Sequence, residues 1–373
     1  MANHVTRPDG FVHRDHENVP TKARQGKRMS SRCTRNVYVF LALSLTAALG
    51  AAAAPVPINA PMVIAASGDY VVMHDFTSVG TPAIKITGAV TANISFAGHT
   101  VSAIGAPVVL VHSFNDDAGC RSVILHDGKI VGGYGLVSMN NPLRGCPPQV
   151  RVDRMIFQGT DLNVEDGGLI VTSSQFVGGS IFARTDVGGL VTRIEGNRIV
   201  SGDIALMGGQ GSRVTRNYVL NGSIYVRGSD GQQASNVNIA SNYIVRGNVE
   251  LGGTSAEQGA AHVFFARNNV AGFVKLMQVN DSVVDTNKIG GCGPAYTSVQ
   301  VDGQANRVDR NAFLGGCDHG IVFDETATGN EYSYNTYRVY VPVPVLDLGT
   351  GNFDGSQMDV DPDLGPTKDL GFD

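Results

Sequence analysis

Apolar and polar positions alternate over short stretches of this chain, and the stretches return at a nearly constant distance. GNRIV (196–200), RNYVL (216–220), SNYIV (241–245), RNNVA (267–271), TNKIG (286–290), RNAFL (310–314) and YNTYR (334–338) share one pattern. Each holds an Asn: Asn197, Asn217, Asn242, Asn268, Asn287, Asn311 and Asn335. Two residues later stands an apolar or aromatic side chain, and three residues earlier another, such as Ile239 and Ile244 around Asn242. The steps between the Asn positions are 20, 25, 26, 19, 24 and 24 residues. Weaker copies run upstream, with Ser174, Arg154, Gly128 and Gly98 in the Asn slot, giving ten steps that average 23.7 residues.

A unit of this length built from short alternating strands predicts a solenoid. Helical repeats would need windows of 10–15 residues with a period of 3.6, and the chain has none. The Leu-x-x-Leu-x-Leu signature of leucine-rich repeats is missing too. The pattern therefore predicts an all-β parallel β-helix of about ten to eleven turns, with adjacent turns ~4.8 Å apart. The recurring Asn is expected at a sharp corner, where it tolerates left-handed backbone. Stacked amides there can satisfy one another's hydrogen bonds.

Composition agrees. Gly is 47 of 373 residues and only 16% of the chain is charged, far from the Ala/Glu/Lys/Leu-rich make-up of helical proteins. The first 28 residues are polar and basic, Met29 offers a second start, and Arg32 and Arg35 precede an uncharged stretch from Val37 to Ala54. A basic segment, an apolar run and a small-residue exit describe a secretory signal. Residues 29–54 are read as that signal and 1–28 as a non-native extension, which implies a secreted, periplasmic or cell-surface protein with no stable membrane span after processing. Without residues 1–54 the chain keeps 20 Lys/Arg and 30 Asp/Glu, a formal charge of −10. Such a chain lacks the overall basic footprint of a nucleic-acid binder.

SGDYVVMHDFTSVGTPAIKITGAVTANISFAGHTVSAIG (67–105) resembles the first turns of bacterial right-handed parallel β-helix proteins of the pectin-lyase-like superfamily, and RSVILHDGKIVGGYGLV (121–137) resembles their next turn. MDVDPDLG (358–365) is similar to the Asp-x-Asp-Pro stretch that follows their last turns. The resemblance implies right-handed winding for residues 55–340 and a capping tail over 341–373. It specifies activity poorly, because one fold hosts many chemistries.

Four cysteines remain after the signal: Cys120, Cys146, Cys292 and Cys317. Their separations, 26 and 25 residues, match one turn, and neighbouring turns lie at the Cα distance that a disulfide accepts. Cys120–Cys146 and Cys292–Cys317 are the expected pairs.

After each Asn comes a second alternating stretch: SIFARTD (180–186), DIALM (203–207), SIYVR (223–227), NVEL (248–251), FVKLM (273–277), SVQVD (298–302) and GIVFD (320–324). Alternation puts two columns of side chains outside: Phe182, Ala205, Tyr225, Glu250, Lys275, Gln300, Val322; and Arg184, Met207, Arg227, Met277, Asp302, Asp324, with Gly252-Gly253 as a gap. In enzymes of the resembled superfamily this sheet borders the sugar groove. Tyr225, Gln300 and Arg184 suit sugar binding, and Lys275, Arg227 and Glu250 suit proton transfer and charge stabilisation. The expectation is an exported protein that binds an acidic polysaccharide and cleaves it by β-elimination; the alternative is a non-catalytic adhesin or structural β-helix. Two stacked aspartates, Asp285 and Asp309, with Asp281 and Asp302 on nearby turns, suggest a Ca²⁺ site, against simple pairing with Arg307, Arg310 or Lys288. Asp302 and Asp324 one turn apart form the carboxylate pair of a glycoside-hydrolase reading. Asp318-His319-Gly320 resembles the Gly-His-Gly segment of polygalacturonases, but their paired-Asp motif is absent a turn earlier.

Overall fold

A computed structural model describes residues 53–112, 121–139, 147–185, 190–229, 232–255, 258–293, 296–337 and 341–357. The signal segment apart from its last two residues, Cys120, Cys146 and the tail beyond 357 lie outside these. The chain winds as a right-handed parallel β-helix of about 11 turns, and every pairing between strands is parallel. One sheet stacks thirteen strands, from Met62–Ile64 to Val343–Asp347. The strands flanking the Asn positions form two further stacked columns, which merge into one sheet through the long strands Ser122–Val131 and Gln149–Gln158. The coil also runs past residue 340: Val343–Asp347 adds to the thirteen-strand sheet and Phe353–Asp354 pairs with Glu331 and Tyr332. Among the described residues no helix is long and apolar enough to cross a membrane.

Alternation decides which residues face inward. Ile224, Val249, Val274, Val299 and Ile321 stack in one inner column and are fully buried. Each such side chain contributes about 1.5–3 kcal/mol relative to exposure. On the other sheet, Phe157 and Phe176 stack inside the coil with ring centroids 4.6 Å apart. Two corners make this narrow coil possible.

At the first corner, each ladder Asn lies next to a residue with left-handed backbone, not in that conformation itself. Gly196, Arg216, Ser241, Arg267, Thr286, Arg310 and Tyr334 carry φ between 50° and 66°. The following Asn turns its amide inward. Asn217 donates from Nδ2 to Asn242 Oδ1 at 3.0 Å and to the Ile194 carbonyl at 2.9 Å, and the same two-donor pattern repeats from Asn197 to Asn311. Ser174 starts the ladder by donating its backbone N–H to Asn197 Oδ1. Further upstream the expected register is one residue off. Met155, not Arg154, follows the left-handed residue and donates its N–H to Ser174 Oγ, and His99, not Gly98, opposes Gly128.

The second corner leads into the thirteen-strand sheet and is a glycine column. A Cβ on Gly202, Gly222, Gly247 or Gly272 would stand 1.7–2.1 Å from the carbonyl oxygen of the glycine one turn back. Glycine is required here for close backbone approach. A second, shorter Asn ladder, Asn306–Asn330–Asn352, closes the C-terminal turns with amide contacts of 3.0 and 2.9 Å. Cys292 and Cys317 form a disulfide between neighbouring turns, with Cα atoms 5.5 Å apart.

Candidate functional site

The thirteen-strand sheet carries both expected outer columns in register. Ala205, Tyr225, Glu250, Lys275 and Gln300 are direct partners on successive strands, and so are Arg184, Met207 and Arg227. The second column breaks at Gly252, whose missing side chain leaves Arg227 without a direct neighbour on the next turn. The guanidinium turns diagonally instead. Arg227 Nη2 donates to Glu250 Oε2 at 3.2 Å, and its carbon lies 5.6 Å from the Tyr225 ring centroid. Arg227 Nε is buried with no partner.

These three side chains, with Ala205, Leu206 and Met207, line a cleft of about 430 Å³. It has an apolar floor, an aromatic wall, a cation with one unused donor and a carboxylate. That donor set suits a ligand with an apolar ring face and an anionic edge. Sequence reasoning found the Tyr, Arg and Glu but not Leu206 and the role of Met207, because a floor residue has no chemical signature of its own.

Glu250 pairs with Arg227 and, among the described residues, makes no ion pair with Lys275. Lys275 lies one turn on, between Glu250 and Gln300. Gln300 donates to Asp324 Oδ2 at 2.8 Å. Burial pushes the Asp324 carboxyl up from its ordinary value; the Gln300 bond opposes this, and the nearby Asp302 charge adds to it. Asp302 accepts from Gln278 at 3.2 Å and from Thr326. Arg184 lies beside Glu165 and Met207 in the second column, four strands before the strand of Lys275. Val322, expected outside, is buried, and His319 Nδ1 lies 3.1 Å from the Val343 carbonyl of the last strand.

Of the aspartates expected around a cation, Asp285 and Asp309 come together and Asp302 does not. Asp285 and Asp309 are direct partners on neighbouring turns, as expected. Arg310 lies between them, 2.9 Å from Asp285 and 3.1 Å from Asp309, and Ser333 donates to Asp309 at 2.9 Å. An arginine fork neutralises both carboxylates, which is the pairing alternative. Asp302 stands on the thirteen-strand sheet, a different face, and among the described residues no three His, Cys, Asp or Glu side chains group as a metal requires.

A parallel coil with an internal Asn ladder defines the class: a right-handed parallel β-helix. No protein-family model matches the sequence, and no curated protein matches it. Among solved structures, the Dettilon tailspike protein (gp208) is similar at 14% identity and a TM-score of 0.44, over 77% of this chain and 61% of the tailspike. The chain thus spans about three fifths of that protein. The A-module of the Azotobacter vinelandii mannuronan C-5 epimerase AlgE4 is similar at 12% identity and a TM-score of 0.41, over 79% of this chain and 91% of the module. The DFA-IIIase of Arthrobacter chlorophenolicus A6, without its lid and in complex with GF2, is similar at 13% identity and a TM-score of 0.38, over 70% and 88%.

Proposed function

We propose that this is an exported protein that binds an acidic polysaccharide along the thirteen-strand sheet and cleaves it by β-elimination. The arrangement of Tyr225, Arg227 and Glu250 around one cleft carries the reading. A sugar ring packs on Tyr225, and its carboxylate pairs with the partly exposed Arg227 guanidinium. In the elimination a base removes the proton on the carbon beside the uronic carboxylate. The electron pair forms a carbon–carbon double bond, and the glycosidic oxygen leaves and takes a proton. Arg227 stabilises the enolate-like charge. Lys275, one strand on and without an ion pair among the described residues, serves as the base in its amine form. Gln300 and Arg184 extend the binding track to either side, and a soluble Ca²⁺ ion bridging substrate carboxylates is a condition to vary.

A hydrolytic reading has one observation of its own: Asp324 is raised by burial beside Asp302, the asymmetry that an acid and base pair needs. Incubation with polygalacturonate and alginate, with and without Ca²⁺, decides. New ultraviolet absorbance from unsaturated chain ends supports elimination. New reducing ends without that absorbance turn the assignment to hydrolysis. Binding without either product, unchanged by Lys275→Ala, makes the protein an adhesin or structural β-helix. No binding to any acidic glycan overturns the proposal.

A further inference from the structure

On the opposite side of the coil, Thr192–Glu195, Arg213–Thr215 and Asn238–Ala240 stack as neighbouring strands, with Arg193, Arg213 and Asn238 as direct partners. The left-handed corners add Arg216 after the second strand and, two turns further on, Arg267, with Ser241 between them. Together they line a cleft of about 320 Å³ that holds four arginines and one carboxylate, Glu195. The protein as a whole is acidic, with a net charge of −5.

Elsewhere along the same corner the coil balances its arginines. Arg154 sits on both Asp127 and Asp153. Arg310 sits on both Asp285 and Asp309. Each has its own strand's carboxylate and one from the turn before. At the middle turns the rule is broken. Arg193 and Arg216 share Glu195. Arg267 has Ala266 and Ala240 where the acids would stand, and among the described residues neither Arg213 nor Arg267 has a carboxylate partner. Stacking Arg193 directly against Arg213 sets like charges on adjacent strands, which is unfavourable without a counter-charge. The Asn238 side chain also lines the cleft, and its buried Oδ1 accepts no hydrogen bond. At the corner positions the pairing holds for Arg154 and Arg310 and fails for Arg267, and a local rule broken in this way points to a functional position.

We infer that this cleft is a second binding site, for an oxyanion group of an acidic glycan: a carboxylate or a sulfate ester held by Arg213, Arg267 and the Asn238 amide. Planar guanidinium forks match both groups. The site is separate from the thirteen-strand sheet and does not rest on the function proposed for it; a chain gripped on two faces is held more tightly than by either alone.

The test uses the full chain and two probes, heparin for sulfate esters and alginate for carboxylates, followed by calorimetry at low and physiological salt. Arg213→Glu and Arg267→Glu are the variants, because both side chains are exposed and neither supports Glu195. Each is expected to weaken binding of one or both probes about tenfold or more, with unchanged melting, and the weaker salt dependence of the variants follows from the lost charge. Tyr225→Ala and Lys275→Ala are expected to leave this component intact, so failure of the other site and failure of this one give different patterns. Preference of one probe over the other identifies the anion. Equal binding by the charge-reversed variants, no binding by the natural protein, or preferential binding of a single-stranded oligonucleotide overturns the inference.

Discussion

Asn217 and Asn242 are 25 residues apart in sequence, and their side-chain amides meet at 3.0 Å inside the coil. The same Asn242 Oδ1 accepts the Asn217 backbone N–H, and Asn242 Nδ2 reaches the Val214 carbonyl and Asn268 Oδ1. One side chain thus satisfies two donors and two acceptors that water cannot reach.

Asn242→Ala strands those groups at once. Each buried polar group left without a partner costs about 1–3 kcal/mol, so a loss of at least ~3 kcal/mol is expected. Asn335, the last rung, is half-exposed and its position admits water, so Asn335→Ala is expected to cost about 1 kcal/mol. Urea unfolding of both variants measures the difference; equal losses would show that the ladder is not a cooperative buried network.

The ladder and the outer columns were legible in the sequence because both repeat with the turn. What repeats irregularly was not. Arg154 and Gly98 are one residue out of register because only the corner geometry separates the left-handed residue from the slot that follows it. The Asn306–Asn330–Asn352 ladder has three rungs, preceded by Ser282, too few to stand out. Of the two alternatives for Asp285 and Asp309, a cation or an arginine partner, the corner position of Arg310 supplies the second, because its guanidinium turns back over both carboxylates. The basic cleft was missed for a related reason: its residues come from strand positions and corner positions together, and no single column contains them.

The Cys292–Cys317 bond closes a loop of 25 residues. A cross-link of that span stabilises by about 3 kcal/mol through the unfolded chain. The paired Cys292→Ser/Cys317→Ser variant is expected to unfold at correspondingly lower urea. A variant as stable as the natural protein would show the bond to be unimportant.

Acid and neutral pH act on two carboxylates in opposite directions. The Arg154 hydrogen bonds, with His126 second, hold Asp127 down at about 2. Its contribution is therefore present above the ordinary carboxylate value of about 4 and is lost as pH falls through about 2. Asp127 is well exposed, so the amount is under about 1 kcal/mol. Arg154→Ala should flatten the stability curve between these values. Asp324, raised by burial, stabilises while protonated and loses that contribution as pH rises through its folded value. Asp324→Asn is expected to be more stable than the natural protein at neutral pH and no more stable in acid. Melting curves from pH 2 to 8 test both signs.

At the cleft, the Arg227–Glu250 pair is partly exposed, with side-chain accessibilities of 38% and 22%, so its contribution to folding is small. A double-mutant cycle with Arg227→Ala and Glu250→Ala should give a coupling of about 0.5–1 kcal/mol. The effect on ligand binding should be larger. Arg227→Ala removes the partly exposed cation beside Tyr225, and about tenfold weaker binding of polygalacturonate is expected. Glu250→Gln keeps the shape but releases Arg227 from its counter-charge. If Glu250 only positions the guanidinium, this variant binds the acidic chain as well as the natural protein or better. If Glu250 takes part in proton transfer, binding survives while formation of unsaturated ends falls. Tighter or equal binding with unchanged product formation would confine Glu250 to positioning, and a loss of binding as large as that of Arg227→Ala would mean that the carboxylate itself contacts the sugar.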